Sequence, residues 1–328
     1  MTDSPPTFDT ICLAGGSIKG FAQLGALHYL TGGTGEGGSA SGGPAHLDLS
    51  KVTYYVGTSV GSAISLLLIC GYRPIEIFYA MYQRVAMFDT VKKANFATEW
   101  GFISIDTLAD KLCGMIDAKR ADPTSVLYGF PHTPTLKELQ DLTLKRFTVV
   151  TTNISKRRGE YISATTHPGM SCIRAVTLSC GLPFIFERAV YDGDYYIDGG
   201  FFNNFPMRWV CDGAEAPERV LGIVAVEAES AHVESLYTYI ERILSFQFST
   251  VTSQNIQDAP SSSVVVVIEC MDQPMFQTSL PSDAKGQLFA TGVDAARKRM
   301  SLLRSPSRSA SPSRSASPSR STPTIKQG

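Results

Sequence analysis

The sequence predicts an α/β fold organised on a central, mostly parallel sheet. Three observations lead there. Short apolar runs rich in β-branched and aromatic residues recur along the chain and read as buried strands. Stretches with apolar residues at helical spacing alternate with them. Two strand-to-helix junctions are Gly-rich, Gly15-Gly16-Ser17-Ile18-Lys19-Gly20 and Gly57-Thr58-Ser59-Val60-Gly61.

Taken in order, Ile11 to Ala14 reads as the first strand, and Phe21 to Leu30 as an apolar helix after the first Gly-rich turn. Residues 31–46 are Gly/Ser-rich and aperiodic, and read as a flexible surface insertion. Val52 to Val56 is a second strand and Ala63 to Cys70 a buried helix. Pro74 to Phe88 reads as a helix with Pro in its first turn. Ser104 to Ile116 reads as another, with Ser104 as N-cap. Thr135 to Gln140 is a short helix or turn. Phe147 to Thr152 is a strand, and Glu160 to Ser163 a shorter one able to pair with it. Ser171 to Ser179 is a helix, and Tyr195 to Ile197 a strand ending at Asp198-Gly199-Gly200. Val220 to Val226 and Val264 to Ile268 are buried strands flanking an amphipathic helix, Val233 to Phe248. Ser282 to Leu303 is the last helix.

The chain of 328 residues has an ordinary apolar fraction, 43%, enough for a large core. Residues 1–8 are polar and contain Pro, unlike a signal peptide. The longest apolar stretch falls far short of the roughly 20 residues a membrane span needs, which predicts no transmembrane segment. Seven scattered Cys, an odd number without Cys-x-x-Cys, fit a reduced environment better than a disulfide scaffold. The expectation is a cytoplasmic protein, soluble or peripheral to a membrane. Net charge is −1, unevenly spread. Eight of the 29 Lys/Arg lie from Arg297 onwards with no acidic residue, leaving 21 basic against 30 acidic residues before them. Residues 304–328 contain three copies of Ser-Pro-Ser-Arg-Ser-(Ala/Thr), which cannot bury a core and read as a disordered tail. Phosphorylation would turn it acidic. A protein, an anionic membrane or nucleic acid would suit it as a partner, and a solubilising appendage is the plainer reading.

Ser59 sits at the apex of Gly-x-Ser-x-Gly between a strand and a helix, the setting of a nucleophile elbow. Gly57 and Gly61 remove side chains where strand and helix close on each other. The Gly15 to Gly20 turn aims backbone N–H groups at a helix N-terminus, where an anion can sit. A dinucleotide pyrophosphate is one candidate, but Ser17 stands where that fingerprint wants Gly. The oxyanion of an acyl-transfer intermediate is the other. No residue cluster has zinc or calcium spacing, and the chemistry calls for no cofactor.

These motifs fall in the order Gly-rich loop, Ser elbow, then Asp198-Gly199-Gly200-Phe201-Phe202-Asn203-Asn204-Phe205-Pro206. In that order they closely resemble the patatin-like phospholipases, over about Phe8 to Ala225. Ile173 to Ser179 with Leu182 to Phe186 looks like a further segment of that family. The resemblance implies a three-layer α/β/α patatin-like domain over residues 9–303. It also implies a lipid acyl hydrolase working through a Ser-Asp dyad on a lipid substrate at a membrane or lipid-droplet surface. Ser59 would be the nucleophile and Asp198 the general base. Backbone N–H groups of Gly15, Gly16 and Ser17 would form the oxyanion hole, with Lys19, Gly20, Gly57, Gly61, Gly199 and Gly200 in support. Ser17 departs from the family's third Gly, and carries a cost if that position needs positive φ.

Two other readings differ in class. A Ser-His-Asp esterase would follow the order Ser59, Asp198, His232. A non-catalytic lipid-binding or scaffold protein would act through its Arg/Ser tail, leaving Ser59 and Asp198 without a purpose.

Overall fold

A computed structural model describes residues 7–33, 45–82, 101–227, 236–270 and 280–304. The strands are β1 Thr10–Leu13, β2 Tyr54–Thr58, β3 Gly101–Ile103, β4 Arg146–Asn153, β5 Arg158–Ser163, β6 Phe184–Phe186, β7 Ala189–Tyr191, β8 Asp194–Asp198, β9 Val220–Glu227 and β10 Val264–Cys270. The helices are α1 Gly20–Leu30, α2 Val60–Ile69, α3 Pro74–Tyr82, α4 Asp106–Ala121, α5 Leu136–Thr143, α6 Cys172–Ser179, α7 Gly200–Asn203, α8 Met207–Asp212, α9 Leu236–Gln257 and α10 Ser282–Arg304.

The main sheet runs β10-β9-β1-β2-β4-β8-β7, with β5 also paired to β4. From β10 through β4 every pairing is parallel, and β5, β8 and β7 are antiparallel. Side chains alternate across a strand. Ile11, Leu13, Tyr55, Val149, Leu221 and Ile223 therefore enter one apolar cluster. Their neighbours Cys12, Ala14, Val56, Val150, Val220 and Val224 enter another. Both faces are buried, which is why these strands read as unbroken apolar runs. Helices α1, α2, α3, α4, α6 and α10 contribute to the first cluster, and α8 with the end of α9 covers the opposite face.

Several boundaries differ from the sequence reading. β2 runs to Thr58 and α2 begins at Val60, so strand and helix meet at Ser59 itself. Helix α4 starts at Asp106 with Ile105 as N-cap; Ser104 sits one residue too early, although its Oγ accepts from Asp106 N–H. α5 is closed by a capping box between Thr135 and Glu138. Phe8 is buried, ahead of the boundary drawn at residue 9. β3, β6, β7, α7 and α8 are additional. Residues 34–44 of the insertion, the end of the helix expected over 74–88, His232 and residues 305–328 lie outside the described residues. The seven cysteines are unpaired, six of them buried. Among the described residues no helix is long and apolar enough to cross a membrane.

Candidate active site

The site forms where three strands meet. β2 pairs with β4 as far as Thr58 opposite Val150. β8 runs the other way and pairs with β4 from Asn153 down to Thr151, opposite Asp198. Since β5 occupies the other edge of β4, β2 and β8 share one edge and end head to head. Ser59 leaves the end of one and Asp198 closes the end of the other. Ser59 Oγ donates to Asp198 Oδ2 at 2.6 Å, although 139 residues separate them.

Local structure holds each group. Ser59 adopts φ 51, ψ −127, a strained conformation outside the regions open to ordinary L-residues. The turn is tight because a Cβ on Gly57 would come within 2.5 Å of Ser62 backbone, and one on Gly61 within 2.4 Å of Leu13 O. Ser59 N–H donates to Ser179 Oγ at 2.8 Å, and that hydroxyl donates to Val150 O. Ser179, the last residue of α6, thereby ties the elbow to β4. Asp198 N–H donates to Gly181 O and Gly199 N–H to Ser179 O. A Cβ on Gly199 would collide with Val150 O, and one on Gly200 with the Phe248 ring.

Asp198 is 3% exposed. Its Oδ1 accepts from Gly200 N–H at 2.8 Å. Burial pushes its pKa from 3.8 up to about 7, against the opposing pull of the bonds from Ser59 and Gly200. A carboxylate near neutrality in contact with a hydroxyl can take its proton, as an ordinary Asp cannot. Neither Ser59 nor Asp198 meets an imidazole among the described residues. No group of three His, Cys, Asp or Glu among those residues could hold a metal ion.

The Gly-rich turn lies against the elbow: a Cβ on Gly15 would stand 3.2 Å from Ser59 Cβ, and one on Gly20 2.6 Å from Val60. Its donors divide differently from expectation. Gly15 N–H is engaged, donating to Asn204 O at 3.1 Å, because the backbone after α7 runs beside the loop. Gly16 N–H bonds to no described residue. Ser17 takes φ 49, the left-handed region that favours Gly. Replacing Ser17 by Gly should raise stability by up to about 1 kcal/mol, a left-handed penalty partly offset by glycine's entropy. Thermal unfolding reads this, and an unchanged or lower Tm would refute it. Lys19 runs its stem beneath Gly16 and ends in a part-buried ion pair with Glu227 at the end of β9.

Asn204 was not singled out in the sequence. Its carbonyl holds Gly15, and its Nδ2 donates to Thr252 Oγ1 at 2.7 Å. Phe205 N–H donates to Asn255 Oδ1, fixing α9 beside the site. The Asn203-Asn204-Phe205-Pro206 run was the signal available. A small apolar cluster adjoins it: Leu182 and Leu244 are buried, with Ile185, Phe186, Phe201, Ile240 and Phe248 around them.

The Ser elbow and the Gly-rich loop stand at the carboxyl ends of neighbouring parallel strands, where open α/β sheets commonly bind their ligands. The patatin-like phospholipase profile matches residues 11–208, and the chain belongs to that family. It is 28% identical to "Probable lipid hydrolase 463L" of Invertebrate iridescent virus 6 over 207 residues, 62% of this chain and 63% of that protein. It is 26% identical to "Uncharacterized protein R571" of Acanthamoeba polyphaga mimivirus over 302 residues, 88% of this chain and 93% of that one. Among solved structures it shares its fold with VipD from Legionella pneumophila (TM-score 0.62, 15% identity, 91% of this chain and 67% of that one).

Proposed function

We propose that this protein is a lipid acyl hydrolase that cleaves carboxylic esters of phospholipids or related lipids through an acyl-enzyme on Ser59. The carrying observation is the 2.6 Å bond from Ser59 Oγ to the buried Asp198 carboxylate. Asp198 Oδ2 takes the Ser59 proton as Oγ attacks the ester carbonyl carbon. The negative charge on the carbonyl oxygen is received at the Gly-rich loop, with Gly16 N–H as donor and Ser17 shaping the turn. The C–O bond to the lysolipid or alcohol then breaks, and the proton on Asp198 passes to the leaving oxygen. Water, deprotonated by Asp198, attacks the acyl-enzyme and releases fatty acid, and the proton returns to Ser59. Gly15, Gly20, Gly57, Gly61, Gly199 and Gly200 serve by allowing close approach, and Lys19 by fixing the loop to Glu227. The apolar cluster beside Gly200 offers the acyl chain a dry surface.

Release of fatty acid from mixed phospholipids, followed by mass, tests this reading in wild type against Ser59→Ala and Asp198→Asn. His232→Ala separates the dyad from a triad. The direct Ser59–Asp198 bond predicts less than about a twofold loss, whereas a loss near 10⁴, typical of a disabled triad member, would restore the Ser-His-Asp reading.

A further inference from the structure

Helix α9 has two apolar stripes, of which one is covered by the described residues. Ile240, Leu244 and Phe248 face the cluster with Leu182, Ile185 and Phe201. Phe248 touches Gly200, two residues from Asp198. On the neighbouring stripe Tyr239, Ile243 and Phe246, spaced i, i+4 and i+7, are 54%, 52% and 72% exposed. At about 100° per residue these three fall within about 60° of helix surface. Between Tyr239 and Ile243 the helix carries Glu241 and Arg242; from Ile243 to Gln257 it has no ionisable side chain, and its exposed positions there include Gln247, Ser249, Thr250, Ser253 and Gln254. The helix is fixed to the catalytic backbone through Asn204–Thr252 and Phe205–Asn255. Nearby in sequence to Ile185, Phe184 is also half-exposed, at φ 68.

We infer that the Tyr239/Ile243/Phe246 face of α9 is the surface by which this protein docks on a neutral lipid interface, delivering the acyl chain over the helix's inner stripe toward Ser59. This rests on the lipid-hydrolase reading for its purpose. Large exposed apolar side chains clustered on one helix face mark an interaction site. A lipid surface fits best here for two reasons. The stripe is continuous, around one helix, with apolar groups that touch the Asp198 loop. Arg242 borders the stripe, about 40° from Phe246 around the helix, but with Glu241 beside it in sequence the segment from Tyr239 to Gln257 carries no net charge, which suits the boundary between headgroups and acyl chains without needing anionic lipid.

The test uses the full chain carrying Ser59→Ala, so that vesicles stay intact. It is sedimented with phosphatidylcholine vesicles at low and high salt, with and without Ile243→Ser and Phe246→Ser. The expected result is binding that salt does not weaken, and a partition coefficient lowered at least about tenfold by the double substitution. Phe246→Gln alone serves if the double variant melts early. In the active protein, the rate on vesicles should fall by a similar factor relative to the rate on a monomeric short-chain ester. Equal partitioning of the substituted and parent proteins overturns the inference. So does binding that requires anionic vesicles and fades with salt, or a dimer that the substitutions dissolve while vesicle binding persists. If wild type cleaves no ester yet the substitutions still release it from vesicles, the docking face stands and the hydrolase reading falls.

Discussion

Asp198→Asn and Ser59→Ala are each expected to lower fatty-acid release by about 10⁴-fold or more, the scale at which losing a nucleophile or its base is felt. The two substitutions fail for different reasons. Ala removes the atom that would carry the acyl group. Asn keeps an oxygen for Gly200 N–H but presents an amide nitrogen to Ser59 Oγ, which cannot accept its proton. The wild-type pH profile follows from the same burial. The base works only when deprotonated, so kcat/KM should climb with pH and level off above about 7, where Asp198 titrates. Both variants must melt cooperatively for the comparison to count. Folded variants that retain a tenth of the wild-type rate would end the dyad reading, and an acid limb centred near pH 4 would show that Asp198 is not the titrating base.

The second large effect is on stability. An unfolded Asp releases its proton near pH 3.9, whereas folded Asp198 holds it until about 7. Between those values the native state binds more protons than the unfolded state, so stability falls as pH rises. The loss is absent below about pH 4 and complete above about 7. At about 1.36 kcal/mol per pKa unit it reaches on the order of 4 kcal/mol, a large share of the 5–15 kcal/mol typical of a domain. Asn does not titrate. The Asp198→Asn protein should therefore gain Tm over wild type at pH 8 and lose most of that advantage at pH 4.5. Thermal unfolding at both values decides it: an offset independent of pH would mean that Asp198 ionises as freely folded as unfolded.

The elbow, the Gly-rich loop and the Asp198 turn were legible because each is local, a strand end followed by residues that only a tight turn requires. The strands β1, β2, β4 and β9 were legible because burial on both faces writes itself as an apolar run; β10, read as equally buried, is the edge strand and buries only alternate residues, with Val267 exposed. What joined the motifs was not. The head-to-head ending of β2 and β8 depends on which edge of β4 each takes, and edge choice leaves no mark in one sequence. Ser179 looked like any helix-end Ser until its partners, Ser59 and Val150, were brought beside it. The end of α9 was placed nine residues early, at Phe248, because Ser249 to Asn255 are polar and β-branched, weak helix formers. Thr252 and Asn255 bond instead to Asn204 and Phe205, so tertiary contact overrides propensity there. Gly15 was expected to donate to an oxyanion, but its N–H meets a carbonyl that arrives 189 residues later.

That last pairing sets an order of events on the ribosome. β1 and its loop are made before β9 and α7, yet one flank of β1 is closed by β9 and its loop is braced by Asn204 and Glu227. Asn204 and Phe205 are braced in turn by α9, as far as Asn255. Contacts of such long sequence separation form late and slowly. The nascent chain would therefore carry the Ser59 elbow without the finished Gly-rich loop until α9 is made. Under the proposed mechanism, such a chain would stay inactive until Asn255 had emerged to brace the loop.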